Sequence, residues 1–229
     1  MKEIRTPKCL IISGGLWEDD EYHRQTLQEA ETVICADSGA GYALRLGIIP
    51  NLVIGDLDSL APKDLQELKK LGVELFQYPR KKDYTDTYLA LQKALELGYK
   101  RIEMLACLGG RFDHTLSNVL LLTIPQVRDI DIRILEPSQE LFLVKPKMKI
   151  YGQKGDTISL LPLSSEVTGI KTTGLYYQVP QGILTRGISN GVSNVFTKNV
   201  VEISLEKGLL LAVHIKKEKS GNFRFLFSD

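Results

Sequence analysis

The sequence predicts an α/β protein in two parts: an N-terminal Rossmann-like domain on a parallel sheet, followed by a C-terminal all-β sandwich domain. Three observations predict it. Up to Leu135, short apolar runs alternate with longer amphipathic ones, the pattern of strands joined by crossover helices. Beyond Pro137 no helix period is found, and short alternating or β-branched runs separated by turn residues take over. The length of 229 residues accommodates two modest domains. The texture changes near Glu136–Gln139, so the expected domains are 1–136 and 137–229.

In the first domain the expected strands are Cys9–Ser13, Thr32–Ala36, Leu52–Ile54, Val73–Tyr78, Ile102–Leu108 and Ile130–Leu135. Between them, one helix opens at Pro62, a favoured first-turn residue, and carries Leu65, Leu68 and Leu71 to a stop at Gly72. Another is expected to start near Asp83, aligning Tyr84, Tyr88, Leu91 and Leu95 on one face and ending at Gly98. A third follows Asp113 with Leu116, Val119, Leu120 and Thr123 on one side, and Pro125 ends it. In the second domain the expected strands are Leu141–Val144, Thr157–Leu161, Val200–Leu205, Leu210–Ile215 and Phe223–Phe227. Turn signals such as Gln153-Lys154-Gly155-Asp156 and Lys207-Gly208 separate them.

Composition narrows the function classes. The chain has 29 basic and 28 acidic residues, a net charge of +1, which argues against a broad electrostatic footprint for nucleic acid or anionic membrane. No apolar run approaches the ~18 residues of a membrane span, and Cys9–Ile12 is too short for the core of a signal peptide. Cys9, Cys35 and Cys107 are three, widely spaced and without a Cys-x-x-Cys pair, so buried reduced thiols in a cytoplasmic protein are expected.

The polar clusters fall after the strands. Gly14-Gly15 follows the first and Asp37-Ser38-Gly39-Ala40-Gly41 the second. Gly55-Asp56-Leu57-Asp58-Ser59 follows the third, Arg80 to Asp86 the fourth, and Gly109-Gly110-Arg111-Phe112-Asp113-His114 the fifth. In an open parallel sheet all five loops emerge on the rim where ligands bind. Asp56 and Asp58 are two apart, so an extended segment would point both carboxylates the same way, a donor pair suited to Mg²⁺ or simply a solvated turn. Asp83 and Asp86 flank a helix start, where capping accounts for one of them; Asp86 could join a metal cluster while Arg80, Lys81 or Lys82 meets phosphate. Gly109-Gly110 amides and the Arg111 guanidinium suit an anion, with Asp113 capping the helix or forming an acid–base pair with His114. Neither a GxGxxG fingerprint nor a GxxxxGK[ST] loop is present. His23, in a charged helical stretch, and His214, between Val213 and Ile215, read as ordinary surface residues, and Trp17 as a packing residue. Gly187 to Gly191 with Asn194 reads as a tight polar turn, and Tyr176-Tyr177 as sheet-edge packing or a platform for a flat ligand.

Together these segments resemble the thiamine pyrophosphokinase family, in order and over most of the chain. The resemblance rests on Gly55 to Ser59, Lys82-Asp83-Tyr84-Thr85-Asp86, Gly109 to His114 and Ala36 to Ala40, where Ser38 stands at a usual glycine. In the second domain it rests on Gly174-Leu175-Tyr176-Tyr177, where Gln178 replaces a common proline, and on Arg186 to Asn190. It implies a homodimer with sites at the subunit interface, catalysing diphosphate transfer from ATP to thiamine with Mg²⁺. Asp56, Asp58 and Asp86 would hold Mg²⁺, with Asp83 an additional ligand. Arg111, Gly109, Gly110, Asp37, Ser38 and His114 would line the ATP side. Asp58, Asp86 and Asp113 would be catalytic, Asp113 orienting or deprotonating the alcohol. Tyr177, Ser189 and Asn190 would contact thiamine. Another Mg²⁺-dependent diphosphate- or nucleotidyl-transferase and a non-catalytic thiamine or nucleotide sensor remain as alternatives.

Overall fold

A computed structural model describes residues 7–17 and 20–217. The chain divides into two compact units that meet at Pro137 and Ser138. The expected strand Phe223–Phe227 lies outside the described residues.

The first unit runs β1 (Lys8–Ile12), α1 (Asp20–Gln28), β2 (Thr32–Ala36), α2 (Gly39–Arg45), β3 (Leu52–Gly55), α3 (Pro62–Lys70), β4 (Glu74–Gln77), α4 (Asp86–Glu96), β5 (Arg101–Leu105), α5 (Phe112–Leu121) and β6 (Asp131–Leu135). Its strands are all parallel, in the order β6-β5-β1-β2-β3-β4. Central strands of such a sheet are covered on both faces, so β1 reads as an unbroken buried run and alternation is absent. Leu10, Ile12, Val33, Cys35 and Val53 pack with Ala40, Ala43 and Leu68 from the helices in one core. The chain winds from β1 to β4 in one direction, then returns to place β5 on the other side of β1. The crevice between β1 and β5 is therefore the topological switch point, where open sheets bind ligands.

α2 has no counterpart in the predicted elements. Its buried residues are Gly39, Ala40, Gly41 and Ala43, too small to write an apolar period. The helix exists because small residues let it lie against β1: a Cβ on Gly39 would strike the Ile12 carbonyl. α4 begins three residues later than the apolar period suggests. Thr85 caps it by accepting the Tyr88 N–H, 3.2 Å, so Asp83 and Tyr84 precede the helix. α5 starts at Phe112 with Arg111 at its N-cap position, and Asp113 sits in the first turn, not at the cap.

In the second unit, β7 (Gln139–Leu143), β9 (Thr157–Pro162), β13 (Asn194–Val195) and β15 (Leu210–Ile215) form an antiparallel sheet in the order β13-β9-β15-β7. A second antiparallel sheet orders β11 (Lys171–Thr173), β14 (Val200–Ser204) and β8 (Lys147–Tyr151), and β10 (Glu166–Val167) pairs with β12 (Leu184–Thr185). Phe142, Ile158, Leu160, Ile150, Val201 and Ile203 close a common core between the layers. β8 hides from a sequence reading because its lysines alternate with Met148 and the one buried residue, Ile150.

Candidate active site

The loops after β1, β2, β4 and β5 line a cavity of about 590 Å³ at the switch point, with the acidic loop after β3 beside it. Its floor is built by joining the β1 and β5 loops. Ser13 N–H donates to the Leu105 carbonyl (2.9 Å), Gly15 N–H to Ala106 (2.7 Å) and Leu16 N–H to Leu108 (2.9 Å). Gly15 is required there, since a Cβ would collide with the Ala106 and Leu108 carbonyls. The Tyr42 hydroxyl donates to the Gly15 carbonyl at 2.7 Å, and its ring stacks on Trp17, which stacks in turn on His23 at 3.8 Å. His23, read from the sequence as a surface residue, is fully buried; its charged helical neighbours conceal the one face turned inward.

Four carboxylates gather beside this cavity. Asp37 directly follows β2 and Asp56 directly follows β3, and the Asp37 N–H donating to the Ile54 carbonyl (2.8 Å) brings the two strand ends level. Carboxylate oxygens of Asp37, Asp56 and Asp58 lie within 4.8 Å of one another. The segment is not extended, as the two-residue spacing suggested. Leu57 adopts φ 64° and Asp37 φ 48°, sparsely populated conformations for side-chain-bearing residues. The carboxylates converge because the chain turns at Leu57, and the Asp58 N–H donates to Asp56 Oδ1 at 3.2 Å. Ser59 Oγ donates to Asp37 Oδ2, while Asp37 Oδ1 is buried with no hydrogen-bond partner in reach among the described residues.

Asp86, at the start of α4, joins this group through Lys82. Lys82 Nζ stands 3.2 Å from Asp86 Oδ1 and 3.6 Å from Asp56 Oδ2. Burial pushes the Asp86 and Asp37 carboxyls above the ordinary range, Lys82 opposing this at Asp86 and the neighbouring aspartates adding to it at Asp37. Asp56 is held below the range by the Asp58 amide and by Lys82. Hard oxygen donors, a buried oxygen without a donor and excess negative charge fit a divalent cation such as Mg²⁺. Asp83 is exposed and outside the cavity lining.

On the opposite side, Gly109, Gly110, Arg111 and His114 line the cavity. Arg111 forks onto Asp113, Nε to Oδ1 at 3.1 Å and Nη2 to Oδ2 at 2.6 Å, and this pairing lowers the Asp113 carboxyl to about 2. Asp113 faces the guanidinium and does not line the cavity, whereas Ser38 does. Deeper, Asn118 Nδ2 donates to the Cys107 carbonyl (2.8 Å) and the Ser13 and Thr87 hydroxyls share a 2.6 Å hydrogen bond. Sequence reasoning missed these and the place of Asp37 in the acidic group. The available signal was that two adjacent parallel strands are both followed directly by aspartate.

In the second unit, Asn194 brackets the backbone of Tyr177, accepting its N–H (2.9 Å) and donating to its carbonyl (2.8 Å). Asn194 pairs with Ile158 of β9, and Gly191 accepts the N–H of Leu160 two residues further along, so Tyr177 and the Ser189-Asn190 turn are tied to one strand. Tyr176, Tyr177, Ile188 and Val192 are exposed, as are Ser189 and Asn190. His214, also read as a surface residue, is 1% exposed. Its ring lies between Glu140 (Nδ1 to Oε1, 3.0 Å) and Asp156 (Nε2 to Oδ2, 2.9 Å).

A nucleotide-sized cavity at the switch point, edged by four carboxylates and an arginine, defines a protein of the kind that handles metal-complexed phosphates. Residues 23–134 match the thiamin pyrophosphokinase catalytic domain, and residues 144–210 match the vitamin B1 binding domain of the same enzyme. The chain is 31% identical to thiamine pyrophosphokinase of Bacillus subtilis over 79% of its own length and 85% of that protein's. It is 24% identical to thiamine pyrophosphokinase 1 of Oryza sativa subsp. japonica, over 80% and 78% of the respective chains. The crystal structure of the Bacillus subtilis enzyme superposes with a TM-score of 0.81 at 28% identity, covering 92% of this chain and all of that one. Yeast thiamin pyrophosphokinase, at 18% identity and a TM-score of 0.78 over 93% of this chain and 88% of its own, shares the fold. The chain belongs to the thiamine pyrophosphokinase family.

Proposed function

We propose that this chain transfers a diphosphoryl group from ATP to the hydroxyethyl oxygen of thiamine, giving thiamine diphosphate and AMP. The observation that carries the reading is the convergence of Asp37, Asp56 and Asp58 on one point beside the switch-point cavity, with Asp86 linked to it through Lys82. Asp56, Asp58 and Asp86, joined by Asp37, would hold Mg²⁺, and Asp83 is left as an outer contact. When bound, Mg²⁺ supplies positive charge that offsets the triphosphate and the leaving AMP.

The remaining work belongs to the side chains. Arg111 and the Gly109 and Gly110 amides grip phosphate oxygens, with Ser38 and His114 completing that wall. Asp113, its carboxyl at about 2, is a poor proton acceptor near neutrality, and its role is to aim the Arg111 fork. Tyr177 offers an aromatic face to the cationic thiazolium, and Ser189 and Asn190 offer hydrogen bonds to the rest of thiamine. The exposed Tyr176, Tyr177, Ile188 and Val192 support a homodimer in which thiamine sites are completed at the subunit interface. Cys9, Cys35 and Cys107 are buried and free, which fits a reducing cytoplasm.

The test is AMP release from ATP and Mg²⁺ with thiamine as acceptor, beside a panel of other primary alcohols. Strong preference for thiamine is the expected result; equal use of unrelated alcohols, or no thiamine-dependent AMP, overturns the reading.

A further inference from the structure

The loop between β4 and α4 carries two cations that both face the acidic group. Arg80 Nε lies 3.3 Å from Asp58 Oδ2, on a side chain that is 85% exposed. Lys82 is different: its side chain is 12% exposed, and its ammonium contacts Asp56 and Asp86 together. Both are carboxylates that a divalent ion would use, and Asp56 belongs to the converging trio. Lys82 also lines the cavity, across which Arg111 and the Gly109-Gly110 amides stand. An ammonium and a divalent cation cannot share these oxygens at 3–4 Å without strong mutual repulsion in a half-buried site. The arrival of one therefore favours departure of the other. A lysine head on a four-carbon stem can leave, because rotation about its side chain moves it several ångströms without moving the backbone.

We propose that Lys82 is an exchangeable counter-cation: it neutralises Asp56 and Asp86 before a divalent ion binds, yields those oxygens to the ion, and turns to the phosphate oxygens of the nucleotide. The proposal deepens the functional reading above and rests on its assignment of the acidic group and the phosphate wall. Its consequence is linkage. A free divalent ion must displace an ammonium that has nowhere better to go, so it binds weakly alone. With nucleotide present, the displaced ammonium gains phosphate partners, so each ligand tightens the other by one common factor. Lys82 on this account governs loading, so that metal and nucleotide enter together.

The experiment titrates Mn²⁺ into the full chain, following loss of the free-ion paramagnetic resonance signal, with and without a non-hydrolysable ATP analogue and without thiamine, the analogue's own chelation of Mn²⁺ being subtracted from a protein-free titration. Lys82→Met is expected to bind Mn²⁺ about tenfold more tightly than wild type in the absence of nucleotide, while the tightening caused by the analogue falls by a similar factor to the part that direct metal–phosphate contact supplies. Lys81→Met removes the same charge from an exposed neighbour and is expected to shift Mn²⁺ affinity by less than about twofold. Lys82→Arg, which keeps the charge, is expected to keep most of the linkage. Unchanged Mn²⁺ affinity in Lys82→Met, undiminished linkage, or equal shifts in the Lys81 and Lys82 variants would overturn the proposal. Turnover is read separately: if wild type releases AMP with thiamine but the Mn²⁺ titrations fail, the counter-cation falls and the function stands. If the titrations behave as expected but no thiamine-dependent AMP forms, the function falls and the counter-cation stands.

Discussion

Each unit gathers a group of carboxylates, and the two solve the same electrostatic problem in opposite ways. In the second unit, Glu140 and Asp156 clamp both nitrogens of His214, and Phe196 stacks on the ring at 4.9 Å. Asp156 also accepts the N–H groups of Gln153 and Lys217, both at 2.8 Å. The counter-charge is a rigid ring with every bonding position used. In the first unit the counter-charges are Lys82 and Arg80, long side chains at the edge of a cavity, and Asp37 keeps a buried oxygen without a donor. A fixed, saturated partner makes a charge cluster part of the framework; a movable, unsaturated one leaves it free to take a ligand.

The sharpest way to break this contrast is to neutralise one member of each group. Asp56→Asn, Asp58→Asn or Asp86→Asn should each cost ~10²–10³ in AMP release while leaving the thermal midpoint near wild type, because loss of charge stabilisation falls on the reaction. Near-normal turnover in all three variants would remove the acidic group from the site. His214→Gln should do the reverse. Leaving two buried carboxylates facing a neutral side chain should lower unfolding free energy by about 3 kcal/mol, seen in urea denaturation. Mn²⁺ binding to the still-folded fraction should be unchanged, and a matching loss there would show that the two groups are not independent.

Arg111→Lys tests the phosphate wall of the first unit. Charge is retained but the planar fork is lost, so KM for ATP should rise about tenfold, with thiamine binding measured without nucleotide little changed. Unaltered ATP kinetics would assign Arg111 elsewhere.

The smallest effect is the pH dependence of the closed cluster. Burial by itself would lower the His214 pKa, but the Glu140 and Asp156 carboxylates outweigh it and hold it above its ordinary 6.5. Its stabilisation is complete below that value and is lost as pH rises through the raised one. Burial by itself would raise Asp156, yet the Lys217 and Gln153 amides and His214 hold it below its ordinary 3.8, so its contribution is present above that value and lost on acidification through the lowered one. Urea midpoints should therefore plateau between the two ordinary values and decline on the alkaline side, a decline that His214→Gln should flatten. An alkaline limb of equal slope in both proteins would place the titration elsewhere.

Much of the site was legible because its loops follow strands whose apolar runs are unmistakable. β1, β2, β3 and β5 announce themselves, and once they are parallel their following loops must share a rim. Asp56, Asp58, Asp86 and Arg111 could be nominated on that basis alone. The two histidines could not be placed. His23 sits among charged neighbours and His214 alternates in a strand, and the rings of Trp17 and Phe196 that cover them are distant or unremarkable in sequence.

The sequence alone determined the alternation of strands and helices, the loss of helix period beyond Pro137 and the clustering of polar residues after strands. Each is a local property, readable from apolar spacing and turn chemistry within a few residues. Tertiary structure decided what those residues face. It set Asp37 beside Asp56 through the pairing of β2 with β3, and aimed Asp56 and Asp58 together through a left-handed turn at Leu57. It also bent Lys82 inward onto two carboxylates and saturated His214 from strands up to 74 residues apart. Side-chain charge is written in one position, but its partner, burial and freedom to move are set by chain segments that meet only when the protein folds.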